Sequence, residues 1–227
     1  PRRPRCRALE PLWWASAFRA RYRELGGGDL AWEPGHRFLA GLEPALASAL
    51  EARRALLVFG PPGSGRRMLA RWLCFRRDGE GAAVAETELR ELATLDGVAQ
   101  TSVARELEAG GPRRGFLLAE ASLHELRSSA RLEPALARQL EPLALRVPPL
   151  SERRDEIPAL ARVFAAASAR AAARAPLAFA DEALAELWRQ PWTGQLPELA
   201  ALVRQLTLAA AEPSVSAVEV RAALSSR

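Results

Sequence analysis

Residues 60–67 read Gly-Pro-Pro-Gly-Ser-Gly-Arg-Arg and stand between an apolar run and an amphipathic segment. The run at 55–59 is too short for a helix and predicts a buried strand. Residues 66–75 predict a helix, because their apolar side chains recur at helical spacing. A strand, a glycine loop and a helix in this order suit phosphate binding, since glycines let backbone N–H groups converge on anion oxygens at the positive end of a helix.

The loop keeps the spacing G-x-x-x-x-G of phosphate-binding loops but departs from that motif at its last two positions. Lys and Ser or Thr are expected there, and this chain has Arg66 and Arg67. A guanidinium still pairs with phosphate, whereas the loss of the hydroxyl removes the usual Mg²⁺ ligand. We predict no metal ligand and no catalytic residue, and a ligand-binding site formed by Gly60, Gly63, Ser64, Gly65, Arg66 and Arg67. A glycine turn without a ligand is the alternative.

Strands and helices alternate up to residue 147, which predicts an α/β fold with a parallel sheet and helices on both faces. A second buried strand is predicted at 115–119, and Pro148 with Pro149 marks a boundary. Beyond it we predict only helices, at 157–175, 181–190, 196–211 and 217–224. The predicted divisions are a basic helix and linker at 1–28, an α/β unit at 29–147 and a helical unit at 148–227, with an early helix at 39–52.

The composition indicates a folded protein, because 49% of the 227 residues are hydrophobic and 26% are charged. We expect a soluble protein of the cytoplasm, since no apolar run approaches the length of a membrane span and the two cysteines have no disulfide, metal or redox spacing. The chain begins at Pro1, so we expect a piece of a longer protein.

The net charge of +5 arises in the first 23 residues, where arginine dominates. This leader favours a solvated linker, and binding of nucleic acid through it or through further domains stays open as an alternative.

Two later segments carry a resemblance to a known family. Residues 148–158, Pro-Pro-Leu-Ser-Glu-Arg-Arg-Asp-Glu-Ile-Pro, and residues 191–199, Pro-Trp-Thr-Gly-Gln-Leu-Pro-Glu-Leu, resemble the sigma-54-dependent transcriptional activators, a bacterial class of AAA+ ATPases. With the glycine loop, the resemblance covers about residues 34–224. It implies an AAA+ P-loop type three-layer core with a parallel sheet, followed by a small α-helical lid, and an ATPase that remodels a sigma-factor complex.

The resemblance also shows where this chain departs from that family. The family's phosphate-binding Lys corresponds to Arg66, its acidic strand end to Glu86 and its nucleotide-sensing Asn to Ser122. Its two intersubunit arginines and its lid arginine fall on Glu133, Gln139 and Pro197. The loop with the Gly-Ala-Phe-Thr-Gly-Ala motif, which grips the sigma factor in the family, does not occur in the sequence.

These departures predict a degenerate AAA+ domain, a pseudo-ATPase that serves as a regulatory or protein-interaction module in a bacterial signalling or transcription protein. We expect protein partners or self-association, no contact with sigma-54 and no membrane contact. No cofactor is required under this hypothesis, and ATP or ADP is a possible ligand. The alternative is a weak ATPase or nucleotide-gated switch in which Arg66 and Arg67 bind phosphate and Glu86 activates water.

Several large or charged side chains are expected to have structural roles and not catalytic or ligand-binding ones. Trp188 and Trp192 are expected in the core with Leu184 and Leu187, because large side chains at helical spacing usually pack. The charged run Glu152-Arg153-Arg154 is expected to form a solvated face of the junction between the two units.

Overall fold

A computed structural model describes residues 55–78, 89–109, 116–141, 144–175 and 177–226. The predicted leading helix, the linker, the helix at 39–52 and Glu86 lie outside these residues. The proposed division of the chain at residues 28 and 147 stays a prediction.

A four-stranded parallel sheet forms the centre of the first unit. Its strands are β1 (Leu56–Phe59), β2 (Leu89–Glu91), β3 (Phe116–Ala119) and β4 (Ala144–Arg146), in the order β2-β3-β1-β4. Leu57 of β1 lies opposite Leu117 and Ala144 in the register. The strands β1 and β3 are almost entirely buried, as expected for the central strands of a parallel sheet covered on both faces.

Within the described residues, four α-helices accompany this sheet: α1 (Arg66–Asp78), α2 (Gly97–Glu108), α3 (Leu123–Ser128) and α4 (Pro134–Leu140). The chain moves one way along the sheet from β1 to β2, and back from β2 through β3 to β4. Because parallel crossovers are right-handed, this reversal puts α1 on one face and the other three helices on the opposite face. The result is a core of three layers.

The face under α2, α3 and α4 is packed with aliphatic side chains. Strand residues contribute Leu57, Leu117 and Ala119, and the helices and their connections contribute Leu92, Val103, Ala104, Leu126, Leu132, Leu136, Ala137 and Leu140. Asp96 begins α2 by accepting a 2.7 Å hydrogen bond from the Ala99 N–H, a regular N-cap.

The second unit contains four helices, α5 (Ile157–Ala171), α6 (Asp181–Arg189), α7 (Gln195–Ala209) and α8 (Ala217–Ser225). The prediction of helices alone is wrong here, because β5 (Ala178–Phe179) and β6 (Ser214–Val215) form a short parallel pair. This pair joins the chain just before α6 to the chain just before α8. Two-residue strands have no periodicity that a sequence can reveal.

The helical unit has its own core. Leu184, Leu187 and Trp192 are buried in it, as predicted, together with Ile157, Phe164, Leu199 and Val203. The prediction for Trp188 is wrong, because this side chain is 47% exposed and the Arg154 guanidinium lies 5.5 Å from its ring centre. The residue follows Leu187 on α6 and therefore points away from the buried stripe.

The architecture predicted from the sequence, an α/β unit with a parallel sheet followed by a small helical unit, is confirmed. Within the described part of the chain, none of the helices combines the length and apolar character that crossing a membrane requires.

Candidate functional site

The glycine loop leaves the carboxyl end of β1, next to β3. The direction of the crossovers reverses here, which is the position where open parallel sheets bind ligands. The Gly60 N–H donates a 3.1 Å hydrogen bond to the Ala119 carbonyl of β3. A Cβ atom on Gly60 would collide with the carbonyl oxygen of Val147, so the start of the loop is packed too tightly for a larger residue.

Gly63 gives the loop its left-handed bend and its contact with the helical unit. Its φ is +76°, a conformation that residues with a Cβ rarely adopt. A Cβ added to Gly63 would lie 2.9 Å from Cδ of Pro197 on α7. The loop and the start of α7 are therefore in direct contact.

Three carbonyl oxygens of the loop are engaged by other parts of the chain. The Gly63 carbonyl accepts from the Leu196 N–H at 3.2 Å, and the Ser64 carbonyl accepts from Nη2 of Arg153 at 2.7 Å. The Gly65 carbonyl accepts from the Leu69 N–H in the first turn of α1. The Ser64 carbonyl shares a peptide group with the Gly65 N–H, and the Gly65 carbonyl shares one with the Arg66 N–H. Because the N–H and C=O of a planar trans peptide point in opposite directions, these bonds also fix the direction of both amides at the positive end of α1.

Arg66 lies where a phosphate-binding loop has its lysine. Its side chain is 11% exposed, and its Nη2 lies 3.7 Å from Oε1 of Glu120, which directly follows β3. Its Nη1 is buried and has no hydrogen-bond partner among the described residues. The buried hydroxyl of Ser64 has none either. A buried donor without an acceptor is costly, and an anion in the loop would satisfy the donor on Arg66.

Arg67 and Glu91 form an ion pair across the mouth of the loop. Nη2 of Arg67 lies 3.1 Å from Oε1 of Glu91, the last residue of β2. Their side chains are 44% and 26% exposed, so the pair adds little to stability. Two carboxylates thus lie at this edge of the sheet, Glu91 at the end of β2 and Glu120 directly after β3. The acidic strand end assigned from the sequence, Glu86, lies outside the described residues.

A cavity of about 450 Å³ opens beside the loop, a volume typical of sites for small ligands. The α/β unit lines it with Gly63, Gly65, Met68 and the charged residues Arg66, Arg67, Arg71 and Glu91, and the helical unit contributes Phe164, Leu196, Pro197 and Ala200. One side of the cavity is therefore strongly basic and the other is apolar. This division suits a ligand with an anionic end and a less polar body.

Arg153 contacts the backbone of the glycine loop. The prediction that it lies on a solvated face is wrong. Only 4% of its side chain is exposed, and it contacts the Ser64 carbonyl and, at 3.2 Å, the Glu156 carboxylate. Burial lowers the pKa of Arg153, and the neighbouring Glu156 carboxylate opposes that shift. The side chain is buried because it finds a carbonyl and a carboxylate inside the junction.

A strained turn positions the start of α7 against the loop. Trp192 and Gln195 both have positive φ, +48° and +58°. Oε1 of Gln195 accepts a 2.6 Å hydrogen bond from the Leu150 N–H, and Nε1 of Trp192 donates to the Leu187 carbonyl at 2.8 Å. These bonds tie the turn to the junction and to α6, so the contact between Leu196 and the loop is held from both sides.

The other positions assigned through the resemblance have local roles. The Ser122 hydroxyl accepts from the Glu125 N–H at 3.2 Å and caps α3. The Glu133 N–H donates to Oε1 of Gln100 at 2.9 Å. Neither lines the cavity, whereas Pro197 does. Within the described residues, no three His, Cys, Asp or Glu side chains lie close enough to hold a metal ion.

Comparison with known proteins supports an AAA+ assignment. Residues 151–227 match the family model of the AAA+ ATPase lid domain. Two crystal structures of NtrX from Brucella abortus are similar: the complex with ADP at 19% identity and TM-score 0.66, over 83% of this chain, and the complex with ATP at 18% and 0.67, over 88%. Domain III of the replication initiation protein DnaA from Thermotoga maritima is similar at 14% identity and TM-score 0.52, over 86% of this chain and 94% of the domain.

This chain spans 54% and 56% of the two NtrX structures, about half of their length. No curated protein matches its sequence. The fold is that of an AAA+ α/β core followed by its helical lid, and the helical unit described above is called the lid below.

Proposed function

We propose that this chain is an AAA+-type module that binds ATP or ADP beside its glycine loop without turning the nucleotide over. It would act as a regulatory or protein-interaction module in a bacterial signalling or transcription protein. The observation that carries the proposal is the position of Arg67, a guanidinium 3.1 Å from Glu91 where the motif needs a metal ligand.

Binding is supported by the geometry of the loop. Its amides lie at the start of α1, and Arg66 offers a buried donor that has no partner among the described residues. The apolar lid side of the cavity suits a base and sugar. The two similar NtrX structures are complexes with ADP and with ATP, which supports the same ligand class for this chain.

Loss of turnover is supported by the groups around the cavity. Phosphoryl transfer depends on positioning and charge neutralisation by a lysine, Mg²⁺, a polarising acid and an arginine finger together. Here Arg67 stands at the position of the metal-binding hydroxyl, and Pro197, which the resemblance aligns with the lid arginine, lines the cavity. Glu133, which the resemblance aligns with one intersubunit arginine, is bonded within its own chain to Gln100. An arginine finger alone contributes about a thousandfold or more in rate.

A regulatory role is supported by the contact between the lid and the loop. A ligand in the cavity would touch both units, so its binding is expected to change how firmly the lid is held. Only residues 79–88 separate α1 from β2, which leaves little room for a sigma-factor-gripping loop. We therefore propose protein partners other than sigma-54, and any nucleic-acid contact would involve the basic leader or further domains.

A weak ATPase is the second candidate, and one observation favours it. Glu91 ends β2 at the carboxyl edge of the sheet and lines the same cavity as Arg66. If Arg67 moved to a phosphate, the Glu91 carboxylate would be released and could polarise water.

Calorimetry with ATP and ADP, combined with a phosphate-release assay on the same preparation, separates these functions. We expect micromolar binding and no phosphate release above a blank without protein. Metal-dependent release that is lost in Glu91→Gln and kept in Glu212→Gln, an exposed glutamate before β6, would establish the weak ATPase instead. No binding of either nucleotide would refute both functions.

A further inference from the structure

We infer that the cavity binds the polyphosphate of a nucleotide free of Mg²⁺, with the Arg67 guanidinium in the place of the metal. This inference rests on the proposed nucleotide binding and specifies the ionic form of the ligand. Glycine-loop sites of this type ordinarily bind the magnesium complex of the nucleotide, and this site would differ from them in binding the metal-free form.

Magnesium does not fit the residues at this position. Mg²⁺ requires oxygen ligands in a near-octahedral arrangement, and the motif supplies one from a hydroxyl. Here that position is Arg67, whose Nη2 lies 3.1 Å from Oε1 of Glu91. Among the described residues that line the cavity, Glu91 is the one carboxylate. A divalent cation at Glu91 would have to displace a guanidinium and would then lie beside two further arginines.

A guanidinium fits the same position. Its planar fork presents paired N–H donors that match two phosphate oxygens, and it stays charged at any physiological pH. Arg67 directly follows the loop, so its side chain starts from the first turn of α1 beside the Arg66 amide. Arg66 adds a buried Nη1 that has no hydrogen-bond partner within the described residues.

The charge of the cavity favours the metal-free form. Among the described residues, Arg66, Arg67 and Arg71 line it together with Glu91, and Glu120 lies 3.7 Å from Arg66, so three guanidiniums face two carboxylates. A free triphosphate carries more negative charge than its magnesium complex, and opposite charges attract in proportion to their product. Magnesium in solution should therefore compete with the protein for the nucleotide and should not assist binding.

Breaking the Arg67–Glu91 pair costs little. The Arg67–Glu91 pair is partly exposed, and exposed pairs contribute about 1 kcal/mol or less. Phosphate offers Arg67 an anion of higher charge than the carboxylate it leaves. The pair thus keeps Arg67 at the mouth of the loop in the free protein without holding it there against a ligand.

The test is a titration of the full chain with ATP, in EDTA and in excess Mg²⁺, read by calorimetry. We expect binding in EDTA to be as tight as in Mg²⁺ or tighter. Arg67→Thr removes the guanidinium and restores a hydroxyl, and it should weaken binding in EDTA by about tenfold or more, with a smaller loss in Mg²⁺. Arg138→Thr, at an exposed arginine of α4 away from the cavity, is the matched control and should bind as the unmodified chain does.

The outcomes distinguish this inference from the proposed function. Binding that requires Mg²⁺ would overturn the inference and leave nucleotide binding standing, and so would an Arg67→Thr variant that binds like the unmodified chain in EDTA. No binding in either buffer would overturn both. If Arg67→Thr does not fold, the comparison of the two buffers on the unmodified chain still decides the question.

Discussion

Arg153 reaches across the junction to Ser64, and Nη2 of Arg153 lies 2.7 Å from the Ser64 carbonyl oxygen. The two residues are 89 positions apart in the chain and belong to different units. A residue of the junction thus holds the backbone of the glycine loop, and the loop's shape depends on the lid segment being docked.

Replacing Arg153 with Met should lower the free energy of unfolding by about 3–5 kcal/mol. The change removes the donor to Ser64 and leaves Glu156, which is itself buried, without its ion pair to this residue. Chemical denaturation measures the loss. Arg154→Met is the control, because Arg154 lies over the exposed ring of Trp188 and should cost about 1 kcal/mol or less. Equal losses in the two variants would contradict the assigned role of Arg153.

Gly63→Ala should destabilise the protein by at least about 1–2 kcal/mol and weaken nucleotide binding. A residue with a Cβ is strained at a φ of +76°, and the new atom would press on Pro197. Gly97→Ala is the matched control, because nothing lies within 4 Å of a Cβ added at the start of α2. That change should be neutral or stabilise by up to about 1 kcal/mol. Similar melting temperatures for the two variants would rule out the packed contact with α7.

The two tryptophans near the end of α6 should respond very differently to truncation. Trp192→Ala removes a fully buried ring and the hydrogen bond from its Nε1 to Leu187, and should cost about 3–5 kcal/mol. Trp188→Ala removes a half-exposed ring that contacts the Arg154 guanidinium, and it should lower the free energy of unfolding by about 1 kcal/mol. Urea unfolding of both variants checks the difference. A larger loss at Trp188 would be evidence against the orientation of α6.

Glu125 should make stability depend on pH in the acidic range. Hydrogen bonds from the Ser122 side chain and backbone N–H lower the pKa of the Glu125 carboxyl below 4.5 in the folded protein. A lowered pKa stabilises the fold above the unfolded value, and this contribution is lost as the pH falls through the folded value. Glu125→Gln should therefore be less stable than the unmodified chain at neutral pH, and the difference should shrink below pH 4.5.

Thermal unfolding from neutral to acidic pH measures this effect. Glu212→Gln, at an exposed glutamate in the segment before β6, controls for the loss of one negative charge. A difference between Glu125→Gln and the unmodified chain that stays constant down to strongly acidic pH would exclude the capping box as its source.

The glycine loop and its two flanking elements were predictable because they depend on local signals. Each of these patterns can be recognised from a few neighbouring residues: glycines at fixed spacing, a short apolar run and an amphipathic segment. The strand β2 was not predictable in this way. It has three residues with Arg90 at its centre, and its pairing with β3 defines it. Glu91 was missed for that reason.

The burial of Arg153 was hidden for a different reason. A run of charged residues usually lies in water, and the two groups that justify burial here are a distant carbonyl and a carboxylate one turn away. Trp188 and Trp192 do not share a helical stripe, because α6 ends at Arg189 and Trp192 lies in the turn that follows.

The hydrogen bonds from the lid segment to the Gly63 and Ser64 carbonyls have a consequence for local unfolding. The Leu196 amide is protected from solvent only while the glycine loop keeps its shape, because its acceptor is the Gly63 carbonyl. In a deuterium-exchange experiment, the Leu196 amide should therefore exchange when the glycine loop of the α/β unit opens. We therefore expect the two units to open together at this contact, and a ligand that slows exchange in the loop should slow exchange at the start of α7 by the same factor.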